Sequence, residues 1–284
     1  MRELRDEEQL LSGEINAANR IEGGTHGRYN LAMRFYSLVW GLLGLAFVGC
    51  ARPQAAAPGY QRADLRGFEV DVNAAWRAEE PGEAHKCLDM LDEDLGRIVE
   101  LVPKPALEQL RTRRIWIEPD SPAQEGGFSG RGMTFHPSRA WLSEHGILPE
   151  KAGGVDICSA QDYLTWREHQ PMMVLHEMAH AYHWMLGFDR PDVIAAYDAA
   201  KAAGLYEQVD YVLAKPGAKR RAYALNNAKE YFAELTEAYF GRNDYYPFTR
   251  DDLRAYNPEG LALVERLWHL NADELAIECQ AAPN

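Results

Sequence analysis

The chain has 284 residues, of which 46% are hydrophobic, 26% charged and 11% aromatic, and these proportions exclude collagen-like and wholly disordered chains. Asp and Glu outnumber Lys and Arg by 43 to 30, and the net charge of −13 argues against broad, sequence-independent binding to nucleic acid, which needs clustered cations. Four cysteines, Cys50, Cys87, Cys158 and Cys279, are too few and too scattered for a disulfide scaffold or a cysteine zinc site.

Residues 1–32 are polar and net acidic, the wrong charge for the start of a secretory signal, and read as an over-extended start ahead of Met33. From Met33 the chain runs MRFYSLVWGLLGLAFVGC: one arginine, a continuous apolar stretch, then Gly49 and Cys50. Residues 33–49 are similar to bacterial lipoprotein signals, in which the cysteine is lipidated and becomes the mature N-terminus, with Phe47 where Leu is usual. An uncleaved anchor is the competing reading, since 17 residues separate the flanking arginines and a bilayer span needs about 17 to 25. Either way the domain is exported to the cell envelope and held at a membrane. Residues 50–65 are expected to be a tether, and 66–284 a single domain without repeats or a second linker. In that compartment two of Cys87, Cys158 and Cys279 could pair and leave one thiol over.

Within the domain, residues 83–101 carry Leu88, Leu91, Leu95 and Ile98 at helical spacing, and Pro103 stops the helix. Residues 114–118 (RIWIE), 133–136 and 155–158 are strand candidates, with a glycine-rich loop at 125–132. Residues 171–186 form a helix opened by Pro171 and closed by Gly187, with Val174, Met178, Ala181 and Met185 as its core stripe. Another helix is expected over 192–203, a strand over 206–213, and a helix over 226–240 whose core stripe is Ala228, Phe232, Leu235 and Tyr239. Together these predict an α+β fold: a small mixed sheet, an active-site helix, and a mainly helical C-terminal half.

The helix from Pro171 contains His176-Glu177-Met178-Ala179-His180, an H-E-x-x-H motif. Histidines four apart lie on one helix face about 6 Å apart along the axis, so both rings can reach one metal ion. Glu177 flanks the pair as a general base rather than a ligand. A catalytic zinc takes three protein ligands, so a third must exist. His183 shares the face but sits about 10 Å from His176 along the axis, which favours an ordinary hydrogen-bonded histidine. Glu230 is the better candidate. Asn227, Glu230, Glu234 and Glu237 share one face with no Lys or Arg at helical neighbour positions, and such like charges repel unless something relieves them. A solvated acidic face is the competing reading. If Glu230 ligates the metal, Glu234 one turn on is placed to accept the spare N–H of a ligating histidine.

The HEMAH motif, followed by Asn227-Ala-Lys-Glu230-Tyr-Phe-Ala-Glu234, resembles the gluzincin metallopeptidases, in particular the branch containing the anthrax lethal factor catalytic domain and the Pro-Pro endopeptidases. The resemblance covers residues 171–241 and leaves 189–222 without a counterpart. It implies a zincin-like fold, one Zn2+ per chain held by His176, His180 and Glu230, Glu177 as catalytic base, and Tyr223 as a second catalytic residue that stabilises the transition state. It also implies a substrate lying along an edge strand, for which 133–136 or 155–158 would serve. Trp166, Trp184 and the cluster 245–248 are candidates to line a pocket, with core packing as the alternative.

The function expected is therefore a membrane-tethered zinc endopeptidase of the cell envelope acting on a peptide or protein. A zincin-fold lipoprotein with a binding role and no turnover is the alternative from another class. A zinc hydrolase of non-peptide amides in the cell wall is a third.

Overall fold

In the computed structural model, which describes residues 55–120 and 132–281, the sheet begins ahead of the expected domain start. β1 (Tyr60–Leu65) and β2 (Phe68–Asn73) form a hairpin, so residues 60–65 belong to the sheet and not to a tether. Arg66 and Gly67 make the turn, both with positive φ (55° and 85°), the geometry that matches a two-residue turn to the strand twist. The polar, weakly alternating YQRADL hides this strand. Its register is fixed across the hairpin, where the Arg62 guanidinium meets both oxygens of Asp71. The expected signal segment, Cys50 and most of the glycine-rich loop lie outside the described residues.

Three helices follow, α1 (Ala74–Glu79), α2 (Pro81–Leu101) and α3 (Lys104–Leu110). Then come β3 (Ile115–Ile117), β4 (Thr134–Phe135), α4 (Arg139–Glu144), a 3-10 turn at Pro149–Lys151, and β5 (Val155–Ile157). The sheet order is β1-β2-β3-β5-β4. The two outer pairs are antiparallel and the two inner pairs parallel. Of the two candidate edge strands, β4 is at the edge and β5 is flanked on both sides. All three short strands lie within the expected spans.

Register gives the sheet two unlike faces. Val70, Val72, Ile115, Ile117, Val155 and Ile157 share one face and are buried. Asp71, Trp116 and Asp156 share the other, also buried. There Lys151 donates to Glu118 Oε1 at 2.7 Å and to both oxygens of Asp156 at 3.0 and 2.8 Å, while His136 meets Asp156 at 3.0 Å. Tyr60 donates to Glu118 as well.

Helices dominate the rest: α5 (Ala160–Trp166), α6 (Met173–Leu186), α7 (Pro191–Ala202), a 3-10 turn at Tyr223–Leu225, α8 (Ala228–Phe240), α9 (Arg250–Tyr256), α10 (Pro258–Trp268) and α11 (Ala272–Ala281). α6 packs against β4 and β5 and, on its other side, along α8. Residues 206–213 are not a strand. Tyr206 has φ of 67°, Val209 bridges to Arg220 and Tyr211 to Tyr245, so the segment serves two different partners in turn. Cys87, Cys158 and Cys279 are free thiols, and the expected disulfide is absent among the described residues. Burial raises the Cys87 thiol to about 12, far from a reactive thiolate. No helix among the described residues is long and apolar enough to cross a membrane.

Candidate metal centre

α6 carries the H-E-x-x-H motif because its sequence satisfies two packing demands. Val174, Met178 and Ala181 bury into the core, while His176 and His180 are one turn apart on the side facing α8. The two rings stand 4.9 Å apart and nearly perpendicular. Gly187, with φ of 94°, ends the helix.

α8 brings Glu230 to them. Asn227 caps the helix, its side-chain oxygen accepting from the backbone N–H of Lys229 at 2.9 Å and of Glu230 at 3.0 Å, and that fixes the turn carrying Glu230. Glu230 Oε2 lies 3.1 Å from His176 Nε2 and 3.1 Å from His180 Nε2. One donor atom from each of the three residues falls within 4.8 Å of the others, the convergence a single cation needs. The donor set, two imidazoles and a carboxylate, is one that zinc takes with a fourth position open. Burial alone would raise the Glu230 carboxyl, but His180 and His176 hold it far below the ordinary range.

The carboxylate behind the first histidine is Glu237, not Glu234. Glu237 Oε1 lies 2.7 Å from His176 Nδ1 and also accepts from Gln170 Nε2 at 2.8 Å. Glu230 and Glu237, two helical turns apart, thus approach the two opposite nitrogens of one imidazole. Glu234, between them, accepts from Asn243 Nδ2 at 3.0 Å. Burial, with Asp244 and Glu237 close by, pushes the Glu234 carboxyl well above the ordinary range. Burial alone would depress His176, yet hydrogen bonds with Glu230 and Glu237 raise it well above a free imidazole in the metal-free protein.

These contacts also remove the solvated-face reading of α8. Glu234 and Glu237 are 1% and 0% exposed, and every residue from Tyr231 to Tyr239 is buried. His176, Glu234 and Glu237 form a second group of donors close enough for one ion, but Glu237 already accepts from the His176 ring.

Glu177 is half-buried beside His176, and together with Asp156 its charge helps burial raise the Cys158 thiol at the end of β5. Tyr223 heads the 3-10 turn before α8, half-buried, with its ring 6.4 Å from that of His176. Three expected residues therefore meet at one point, His176, His180 and Glu230, with Glu177 next to His176 on α6 and the Tyr223 ring nearby. His183 does not join them, and it is not hydrogen-bonded. It is fully buried between Phe188 and Phe232, with neither ring nitrogen partnered among the described residues, and burial drives it down to about 3. Trp184 packs on Phe135 of β4, at 5.9 Å between centroids, and Trp166 packs on His169 at 6.0 Å. Sequence reasoning missed the roles of Gln170, Glu237 and Asn243. Glu237 was legible as a member of the acidic face, the other two carried no signal.

Comparison with family models, with curated proteins and with solved structures returned no match.

Proposed function

We propose that the protein is a zinc-dependent endopeptidase with a zincin-like fold. The observation that carries this reading is the convergence of His176, His180 and Glu230 on one point, with Glu177 beside it and a carboxylate behind the first histidine. Zinc bound by these three residues supplies a Lewis acid and a water of lowered pKa.

The remaining work belongs to the chain. Glu177 takes the proton from the attacking water and returns it to the leaving amine. The Tyr223 hydroxyl donates to the oxyanion of the tetrahedral intermediate, a contact worth about 3 to 4 kcal/mol where a single donor is deleted. Glu237 accepts the Nδ1 proton of His176, which fixes the tautomer and leaves Nε2 as the ligand atom. The edge strand orients the substrate. Around it the backbone of Gly132 and His136 bonds toward β5, at Ser159, Gly153 and Gly154. By alternation Met133 and Phe135 direct their N–H and C=O groups outward, ready to pair with an extended peptide. The apolar run ending at Cys50 supports an exported lipoprotein, so the substrate is a polypeptide of the cell envelope.

The test is cleavage of a mixed peptide library by zinc-loaded protein alongside Glu177→Gln. Metal-dependent cleavage that Glu177→Gln abolishes at full zinc occupancy is expected. One zinc per chain with no peptide cut would refute the reading.

A further inference from the structure

We infer that residues 211–229 form a cationic docking strip that selects an acidic stretch of polypeptide beside the bond presented to the metal centre. This rests on the peptidase reading above and names its substrate class. In a chain with 43 acidic residues among 284, these 19 positions contain none, yet they hold Lys215, Lys219, Arg220, Arg221 and Lys229. The strip runs into Tyr223, the Asn227 cap and Glu230: Arg221 is two residues from Tyr223, and Lys229 immediately precedes Glu230.

Only part of this charge is neutralised. Among the described residues, the strip's one ion pair joins Lys219 to Asp210 at 2.6 Å. Arg220 stacks over the Tyr211 ring at 5.4 Å. Arg221 donates to the neutral oxygens of Leu225 and Asn226, at 2.6 and 2.8 Å. Lys229 rests over the Phe188 ring at 4.2 Å. The contacts of Arg220 and Arg221 fix those cations without an acidic partner, whereas Lys219 is answered by Asp210 and Lys229 stands near Asp189 and Glu230. Lys215, Lys219, Arg220 and Arg221 are all exposed.

The strip is also held firmly. Val209 and Arg220 exchange two backbone hydrogen bonds at 2.8 and 2.9 Å, and Tyr211 stacks on Tyr245 at 4.3 Å. Val212 N–H donates to Asp244 and Tyr246 N–H to Asp210, at 3.0 and 2.9 Å, which ties the hairpin to the segment carrying Asn243, the partner of Glu234. A cationic surface pinned to the site's own supports attracts acidic peptides here, while the otherwise acidic domain repels them elsewhere. A short strip within a chain of net charge −13 favours a local acidic segment over a long polyanion.

Binding is measured by fluorescence anisotropy on full-length, zinc-loaded Glu177→Gln, with a peptide containing a run of glutamates and its glutamine counterpart. The acidic peptide is expected to bind about tenfold more tightly at low salt, the sum of several screened charge contacts, and to lose that preference as salt rises. Changing Lys215, Lys219 and Arg220 together to Ser should abolish the preference, while Lys215→Arg, Lys219→Arg and Arg220→Lys together retain it. Equal binding of the two peptides, an undiminished preference in the triple Ser variant, or binding to phosphatidylglycerol vesicles in place of the acidic peptide would overturn the inference. Because this readout needs no turnover, failure of the wild type to cut any peptide counts against the peptidase reading alone.

Discussion

Replacing Glu237 by Gln keeps the shape of the side chain, removes its charge and puts an NH2 group in place of the buried, unpartnered Oε2. Glu237 Oε1 accepts from His176 Nδ1 at 2.7 Å and from Gln170 Nε2 at 2.8 Å, and a glutamine oxygen can still accept both. What is lost is the charge assistance that makes His176 a more basic ligand. Outer-shell carboxylates of this kind are worth about 10- to 100-fold in metal affinity, or roughly 1.4 to 2.8 kcal/mol. Glu234→Gln provides the control: Glu234 accepts from Asn243 Nδ2 and from neither ligating histidine, and burial with Asp244 and Glu237 pushes its carboxyl well up, so an amide of the same shape should leave the metal site undisturbed. Competition with a chromophoric chelator at pH 7 measures both variants. Weaker zinc binding in Glu237→Gln with Glu234→Gln unchanged is expected. The opposite pattern would mean that Glu234 supports His176 and that the hydrogen-bond assignment is wrong.

Glu230→Ala should lower zinc affinity by more than the roughly 100-fold limit for outer-shell losses, while His183→Ala keeps the metal; titration against the same chelator checks both. His183 gives the metal-free fold a specific acid sensitivity. Its native pKa of about 3 lies below the unfolded 6.5, so the unfolded chain binds one more proton between those values and stability falls as pH drops through that window. The slope is about 1.4 kcal/mol per pH unit. In chelator-treated protein, His183→Phe should remove that slope from the difference in urea midpoints between pH 6 and pH 4.5, roughly the window where it operates, and an unchanged slope would refute the assignment. Lys151→Met leaves Glu118 and Asp156 buried without their shared cation and should cost about 3 to 5 kcal/mol in denaturant unfolding, whereas a loss below about 1 kcal/mol would mean the network is not stabilising.

The candidate metal site was legible because its two halves are each local. HEMAH sits on one apolar helix, and the carboxylates of α8 lack the interleaved cations of a surface helix. The edge position of β4 was legible only as one of two options, since strand order depends on which crossover joins which pair. β1 was missed because Arg62 and Asp64 make it look like a solvated tether, and only the partner strand shows that Arg62 is answered by Asp71. Residues 206–213 alternate like a strand, but the alternation serves two separate bridges. The exchange of Glu237 for Glu234 turns on how α8 lies across α6: spacing within α8 puts both on one face, and the ring of His176 selects between them. The isolation of His183 likewise depends on Phe188 and Phe232, which no local pattern brings together.

The proposed chemistry depends on where a metal ion binds. Crystals of zinc-loaded protein, measured at the zinc absorption edge, locate it directly. One anomalous peak per chain is expected, within coordination distance of His176 Nε2, His180 Nε2 and a Glu230 oxygen. A peak on the opposite side of the ring, between His176 Nδ1, Glu234 and Glu237, or no peak at all, would contradict it.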